Sequence, residues 1–153
     1  AMVHEKLYQS KNLSSIDMGD YMHQIAHHLL DNYHLKSNQI KIRIKTEKVE
    51  MDIKTASPLG LIINELITNS LKYAFPDGKG EINLKISLID DYYNLTVADN
   101  GVGLPDDFKL DNAETLGLQL VNRLVRQIRG SIEWDGSKGT AFIIKFPSKH
   151  LER

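Results

Sequence analysis

Two runs of alternating residues constrain this chain more than any other feature. Ile82, Leu84, Ile86 and Leu88 alternate with polar neighbours, and Tyr93, Leu95 and Val97 repeat the pattern shortly afterwards. A period of two is the signature of a strand with one buried face, and Asp90-Asp91 between the runs is turn chemistry, so a hairpin is expected. A hairpin cannot bury its apolar face alone, so other elements must pack on it.

Those elements are legible around it. A helix is expected from Met18 to about Tyr33, capped by Asp17 with Asp20 in its first turn, and with Tyr21, Ile25, Leu29 and His28 on one face. Ile40, Ile42 and Ile44 alternate with Lys41, Arg43 and Lys45 as a half-buried strand, and a shorter strand is expected at Val49–Ile53. Pro58 is expected near the first turn of a long helix that runs to about Ala74 and stops before Pro76-Asp77-Gly78. A third helix should span Leu116 to Gln127 and stop at Gly130. Strands at Ser131–Trp134 and Thr140–Phe146 are joined through Asp135-Gly136. At the start, Val3–Gln9 reads as a short helix and Lys11-Asn12-Leu13-Ser14-Ser15 as a linker. Strands outnumber single crossovers, which argues against a doubly wound parallel sheet and for a mixed sheet with helices on one face.

Composition removes several functions. The chain has 153 residues, enough for one domain with a real core. Its formal charge is −1, which offers no nucleic-acid surface or polybasic membrane patch. Cysteine is absent, which excludes disulfides and thiolate metal sites. No apolar run reaches the roughly 18 residues of a membrane span, and a cytoplasmic domain is expected.

The long helix carries a polar face. At about 100° per residue, Glu65, Asn69 and Lys72 fall within an arc of about 60°, and Leu59, Ile63, Ile67, Ser70 and Ala74 fall opposite as a core stripe. An amide oxygen suits a hard cation, an ammonium suits phosphate, and a carboxylate can accept a proton. The same residues also describe a solvated helix face with i,i+3 and i,i+4 pairs. Asp99-Asn100-Gly101-Val102-Gly103 follows a strand. Asp99 could accept from an exocyclic amine, and the glycines let backbone approach a ligand; an ordinary turn reads the same way. Gly117, between Leu116 and Leu118, precedes or opens a helix whose free N–H groups would attract phosphate. Thr140, after Gly139, could bond a ligand or a neighbouring strand. The six histidines form no constellation: His27-His28 lacks a carboxylate at ligand spacing, and His4, His23, His34 and His150 stand apart.

Taken together, Asn64-Glu65-Leu66-x-x-Asn69-Ser70-x-Lys72-Tyr73-Ala74, then Asp99-x-Gly101-x-Gly103, then Leu116-Gly117-Leu118, then Gly139-Thr140 resemble the GHKL ATPase superfamily. The resemblance covers about Ile53 to Phe146 and is closest to sensor histidine kinases. It implies an α+β fold, a two-layer α/β sandwich of the Bergerat type. It implies that Asn69 binds Mg²⁺, Glu65 assists phosphoryl transfer, Lys72 contacts phosphate and Tyr73 lies beside the nucleotide. By the same resemblance Asp99 reads the adenine amine and Gly101 and Gly103 shape the pocket. Leu116, Gly117 and Leu118 form the second glycine box, and Thr140 helps hold adenine, partly through water.

Val3-His4-Glu5-Lys6-Leu7-Tyr8-Gln9-Ser10 resembles the end of the dimerisation and phosphoacceptor region of an HWE-related subfamily, as do Asn122-Arg123-Leu124-Val125, Gln127 and Gly130. That implies a remnant of this region at residues 1–15 and a catalytic domain at 16–149. The acceptor histidine would sit on a missing upstream helix of a dimeric parent. ATP or ADP and the receiver domain of a response regulator are the implied partners, with no nucleic acid and no direct membrane contact. An anti-sigma-type serine kinase and a nucleotide-sensing module without chemistry are the alternatives. Two departures stand out: the loop from Gly103 to Thr115 is short, and only Phe108 stands where a phenylalanine-rich box is usual.

Overall fold

A computed structural model describes residues 15–33, 39–104 and 116–148 of the chain. The expected helix Val3–Gln9, most of the linker after it, the loop with Phe108, and His4, His34 and His150 lie outside the described residues. The elements run β1 (Ile16–Asp17), α1 (Met18–Tyr33), β2 (Ile40–Thr46), β3 (Glu50–Met51), α2 (Ile53–Asn69), β4 (Gly80–Ile89), β5 (Tyr92–Asp99), α3 (Leu116–Gln127), β6 (Ser131–Asp135) and β7 (Thr140–Pro147). A π-helical turn, Ser70–Ala74, continues α2.

Five strands form one mixed sheet in the order β2-β4-β5-β7-β6, and β1 pairs with β3 alone. Only the β2–β4 pair is parallel; β4–β5, β5–β7 and β6–β7 are antiparallel. The register aligns buried residues in rows across the strands. Leu84 faces Val97, which faces Phe142, and Ile86 faces Leu95, which faces Ile144. These side chains are at most 6% exposed, and the helices pack on them. The opposite face carries Lys41, Arg43, Lys45, Lys85 and Lys145 at exposed positions. The expected two-layer α+β architecture is therefore the observed one.

α2 is the central helix, packed between α1 and α3. This explains why its apolar residues exceed a single stripe: Leu59, Ile62, Ile63, Leu66 and Ile67 are all buried. Asp52 caps it, accepting from the Lys54 N–H at 2.8 Å, and its carbonyl accepts from Thr55 and Ala56. This start corrects two expectations. The strand expected at Val49–Ile53 is only Glu50–Met51, because Asp52 caps and Ile53 already begins the helix. Pro58 lies inside the helix, in its second turn, not its first. α1 keeps its expected bounds and cap, with Asp17 Oδ1 accepting from the Asp20 N–H at 3.0 Å. α3 ends as expected at Gln127, but Arg129 adopts the left-handed conformation, φ 60°, rather than Gly130. No helix among the described residues is long and apolar enough to cross a membrane.

Candidate functional site

A cavity of about 320 Å³ opens where the π turn after α2, the C-terminal end of β5, the start of β7 and the start of α3 meet. Asn69, Ser70, Tyr73 and Ala74 line it from the helix; Asp99, Thr140 and Phe142 line it from the strands; Gly103, Leu104 and Leu118 complete it. Register explains the strand contribution. Asp99 faces Thr140 across the β5–β7 pair, and Phe142 lies one inward-facing position further along β7.

Asp99 is the polar centre. It is 6% exposed, and neither of the ion pairs found among the described residues, His27–Asp31 and Arg43–Glu81, involves it. Its charge is met by hydrogen bonds instead. Oδ1 accepts from the Gly101 N–H at 2.9 Å and the Thr140 N–H at 3.2 Å, and Oδ2 accepts from the Ser70 hydroxyl at 2.8 Å. A buried carboxylate left without such donors would cost several kcal/mol (~3 or more), so the three donors are what permit it here. The loop after β5 is held in turn by the Val102 N–H, which donates to the Ala74 carbonyl at 3.0 Å. Gly139 packs on the other side. Its φ is +74°, and a Cβ there would overlap the Asp99 carbonyl. Only glycine fits both conditions.

Glu65 and Gly117 lie together a short way from the cavity. A Cβ on Gly117 would stand 2.7 Å from Glu65 Oε1, so the missing side chain makes room for the carboxylate at the start of α3. Asn64 Nδ2 donates to Glu65 Oε2 at 3.5 Å.

The sequence-derived site residues thus separate into groups. Asn69, Tyr73, Asp99, Gly103, Leu118 and Thr140 share the cavity wall. Gly101 supports Asp99 through its N–H, and Glu65 and Gly117 form a neighbouring pair. Lys72 is exposed and does not line the cavity. Leu116 begins α3, and its side chain lies outside the described part. Ser70 and Ala74, expected on the core stripe opposite Asn69, lie on that side: Ala74 is buried in the hydrophobic core, Ser70 is half-buried with its hydroxyl on Asp99 of β5, and both also border the cavity. The last turn is π-helical, but Ser70 keeps α-helical dihedrals and its N–H still donates to the Leu66 carbonyl, so the phase of α2 carries through to it. Phe142 and Leu104 went unrecognised. The inward parity of Phe142 with Thr140 was a usable signal; Leu104 reaches the wall through loop geometry that periodicity does not encode.

This fold, with a buried aspartate at a strand end facing a helix-lined cavity, defines a class of ATPase. Residues 54–150 match the family described as histidine kinase-, DNA gyrase B- and HSP90-like ATPase, and residues 1–33 match a histidine kinase family. The chain belongs to the first of these families, and within it is similar to the catalytic domains of sensor histidine kinases. Blue-light-activated histidine kinase 2 of Erythrobacter litoralis is 30% identical over 86% of this chain and 38% of that protein. The sensor histidine kinase PdtaS of Mycobacterium tuberculosis is 28% identical over 91% of this chain and 27% of that protein. The solved histidine kinase domain of the Erythrobacter litoralis EL346 blue-light-activated kinase superposes with a TM-score of 0.84 at 27% identity, over 96% of this chain and 76% of that one. The chain therefore spans well under half the length of these two curated relatives.

Proposed function

We propose that this domain binds Mg²⁺-ATP and delivers its γ-phosphoryl group to a histidine ring on an upstream helix of the parent protein. One observation carries the reading: Asp99 is a buried carboxylate with three of its roughly four acceptor positions filled by protein donors, set in a cavity wall that also holds Ala74, Leu104, Leu118 and Phe142. The remaining acceptor position, on Oδ2, complements an exocyclic amine. Ala74, Leu104, Leu118 and Phe142 complement the faces of a flat base.

In this reading Asp99 takes the adenine amine, Thr140 supports the base edge, partly through water, and Tyr73 lies beside the nucleotide. Gly101 and Gly103 keep the loop backbone close to it. The N–H groups at Leu116, Gly117 and Leu118 open α3 and face the phosphates, where helix N-termini favour anions. Lys72 brings a mobile point charge to the same phosphates. Asn69 fits a hard cation. Among the described residues no group of three or more His, Asp or Glu could hold a metal alone. That matches Mg²⁺, which keeps water and phosphate oxygens and takes only one or two protein ligands. The cation would neutralise charge on the phosphates as transfer proceeds. Glu65 accepts the proton from the attacking imidazole nitrogen as its bond to the γ-phosphorus forms, the bond to the bridging oxygen breaks and ADP departs. A receiver aspartate on a response regulator would take the phosphoryl group next. Residues 1–15 would be the end of the dimerisation region, with the catalytic domain at 16–149, working in the cytoplasm where ATP is available.

The test uses the parent chain, extended upstream and incubated with γ-labelled ATP and Mg²⁺. Label lost in acid and kept in alkali is phosphohistidine and supports the proposal. Acid-stable label would replace it with a serine kinase. No label despite ATP binding would leave a nucleotide-sensing module.

A further inference from the structure

We infer that the groove between α3 and β6 is a docking site for an extended, acidic segment of a partner protein, which adds to the sheet beside β6 with its carboxylates turned toward α3. The surface is separate from the nucleotide cavity, and the inference does not depend on how that cavity is read.

Three features meet in this groove. β6 is an edge strand: it ends the five-stranded sheet and pairs with β7 alone. Such an edge presents a row of backbone donors and acceptors that an extended peptide can complete. The groove itself encloses about 480 Å³ and is polar. Gln119, Asn122, Arg123 and Arg126 line it from α3, and Ser131 and Ile132 line it from β6. Arg123 and Arg126 lie one turn apart and are exposed, and neither takes part in an ion pair found among the described residues. Arg126 complements the C-terminal dipole of α3, but Arg123 lies before the last turn, where that effect has faded. The third feature is parity. Ile132 pairs with Ile144 and Trp134 with Phe142, so these two side chains face the helical layer. Glu133 and Asp135 alternate with them and are exposed on the opposite face. β6 therefore has arginines beside its inner face and carboxylates on its outer one.

This sidedness defines the partner. In an added strand, every second side chain points toward α3, at intervals of about 6.8 Å. Arg123 and Arg126 are about 4.5 Å apart along the helix axis, and their long side chains take up the difference. Two acidic residues separated by one position can thus meet one guanidinium each. Acidic residues at the intervening positions would stand beside Glu133 and Asp135, where like charges are unfavourable. The fitting segment is therefore acidic on one face and neutral on the other.

The test titrates the ¹⁵N-labelled 153-residue chain with the capped peptide Thr-Glu-Thr-Glu-Thr-Val-Thr and with its counterpart carrying Lys in place of Glu. The Glu peptide should shift the amides of β6 and of the Arg123–Arg126 turn, slow hydrogen exchange at Ile132 and Glu133, and bind more weakly as salt is added. The Lys peptide should bind about tenfold more weakly. The double substitution Arg123→Glu and Arg126→Glu, at two exposed positions, should reverse that preference. No shift at millimolar peptide, or equal binding of the two peptides, would overturn the proposal. Shifts near the arginines without slower exchange in β6 would reduce the groove to a counter-ion surface and overturn it too. Slow exchange along the outer edge of β6 in the free chain would do the same, because the edge would already be covered by a second copy or by another part of the chain.

Discussion

At the scale of single residues, the site depends on how one carboxylate is held. Asp99→Asn keeps an oxygen for the two backbone donors but replaces Oδ2 with an amide that cannot accept from Ser70 or from a base amine. ADP affinity should fall by about 1.5–3 kcal/mol, roughly 10- to 150-fold, in a calorimetric titration. An affinity unchanged by this substitution would remove Asp99 from the pocket. Gly139→Ala acts on the same group from behind. The new methyl meets the Asp99 carbonyl, and φ of +74° is unfavourable for alanine, so the domain should lose about 1–3 kcal/mol in urea denaturation. The type of residue was legible at Asp99, where a carboxylate follows an alternating strand and precedes two glycines. Its donors were not, because Ser70 lies 29 positions away in the chain and Thr140 lies 41 away.

At the scale of elements, α2 does most of the positioning. Its start is set locally by Asp52, and Asp52→Ala should cost about 1 kcal/mol by removing the cap to the Lys54 N–H, measurable as a lower urea midpoint at constant slope. Its end is not set locally. After Asn69 the helix changes from α to π geometry over Ser70–Ala74, and no propensity announces that change. β5 shows a second non-local link. Tyr93 is buried on its inner face, stacks at 5.3 Å on Phe146 and donates its hydroxyl to the Glu50 carbonyl at 3.3 Å. Burial pushes its ionisation above the usual tyrosine value. A raised value favours the protonated form in the fold, so its contribution is complete below the unfolded tyrosine value of about 10 and is lost as pH rises through the folded one. Tyr93→Phe should therefore be less stable than wild type near neutrality, and the gap should narrow on the alkaline side of about pH 10. A gap that stays constant across that range would show that Tyr93 does not ionise differently on unfolding.

At the scale of the whole molecule, the cavity joins parts of the chain that share no local pattern: the end of α2, the end of β5, the start of β7 and the start of α3. A ligand bound there ties the helical layer to the sheet. ADP at about a hundred times its dissociation constant should add about 2.7 kcal/mol of stability, a rise in melting temperature on the order of 5–10 °C for a domain this size. At the same ADP concentration Asp99→Asn should show a smaller rise. Equal rises in the two proteins would place the ligand elsewhere.

Periodicity and turn chemistry alone determined the hairpin, the bounds of α1 and α3, the one-sided burial of the sheet and the mixed α+β class. All of these follow from spacings within a dozen residues, where side-chain pattern and backbone geometry are directly coupled. The ordered set of polar and glycine motifs was also legible, because each lies within one element or one turn. Tertiary structure decided the rest. It set the parallel pairing of β2 with β4, the burial of α2 beyond a single stripe, the hydrogen bond from Ser70 to Asp99, and the entry of Leu104 and Phe142 into the wall. Each of these depends on which distant surfaces meet. That is set by packing and register summed over the whole domain, not by the order of residues along any one segment.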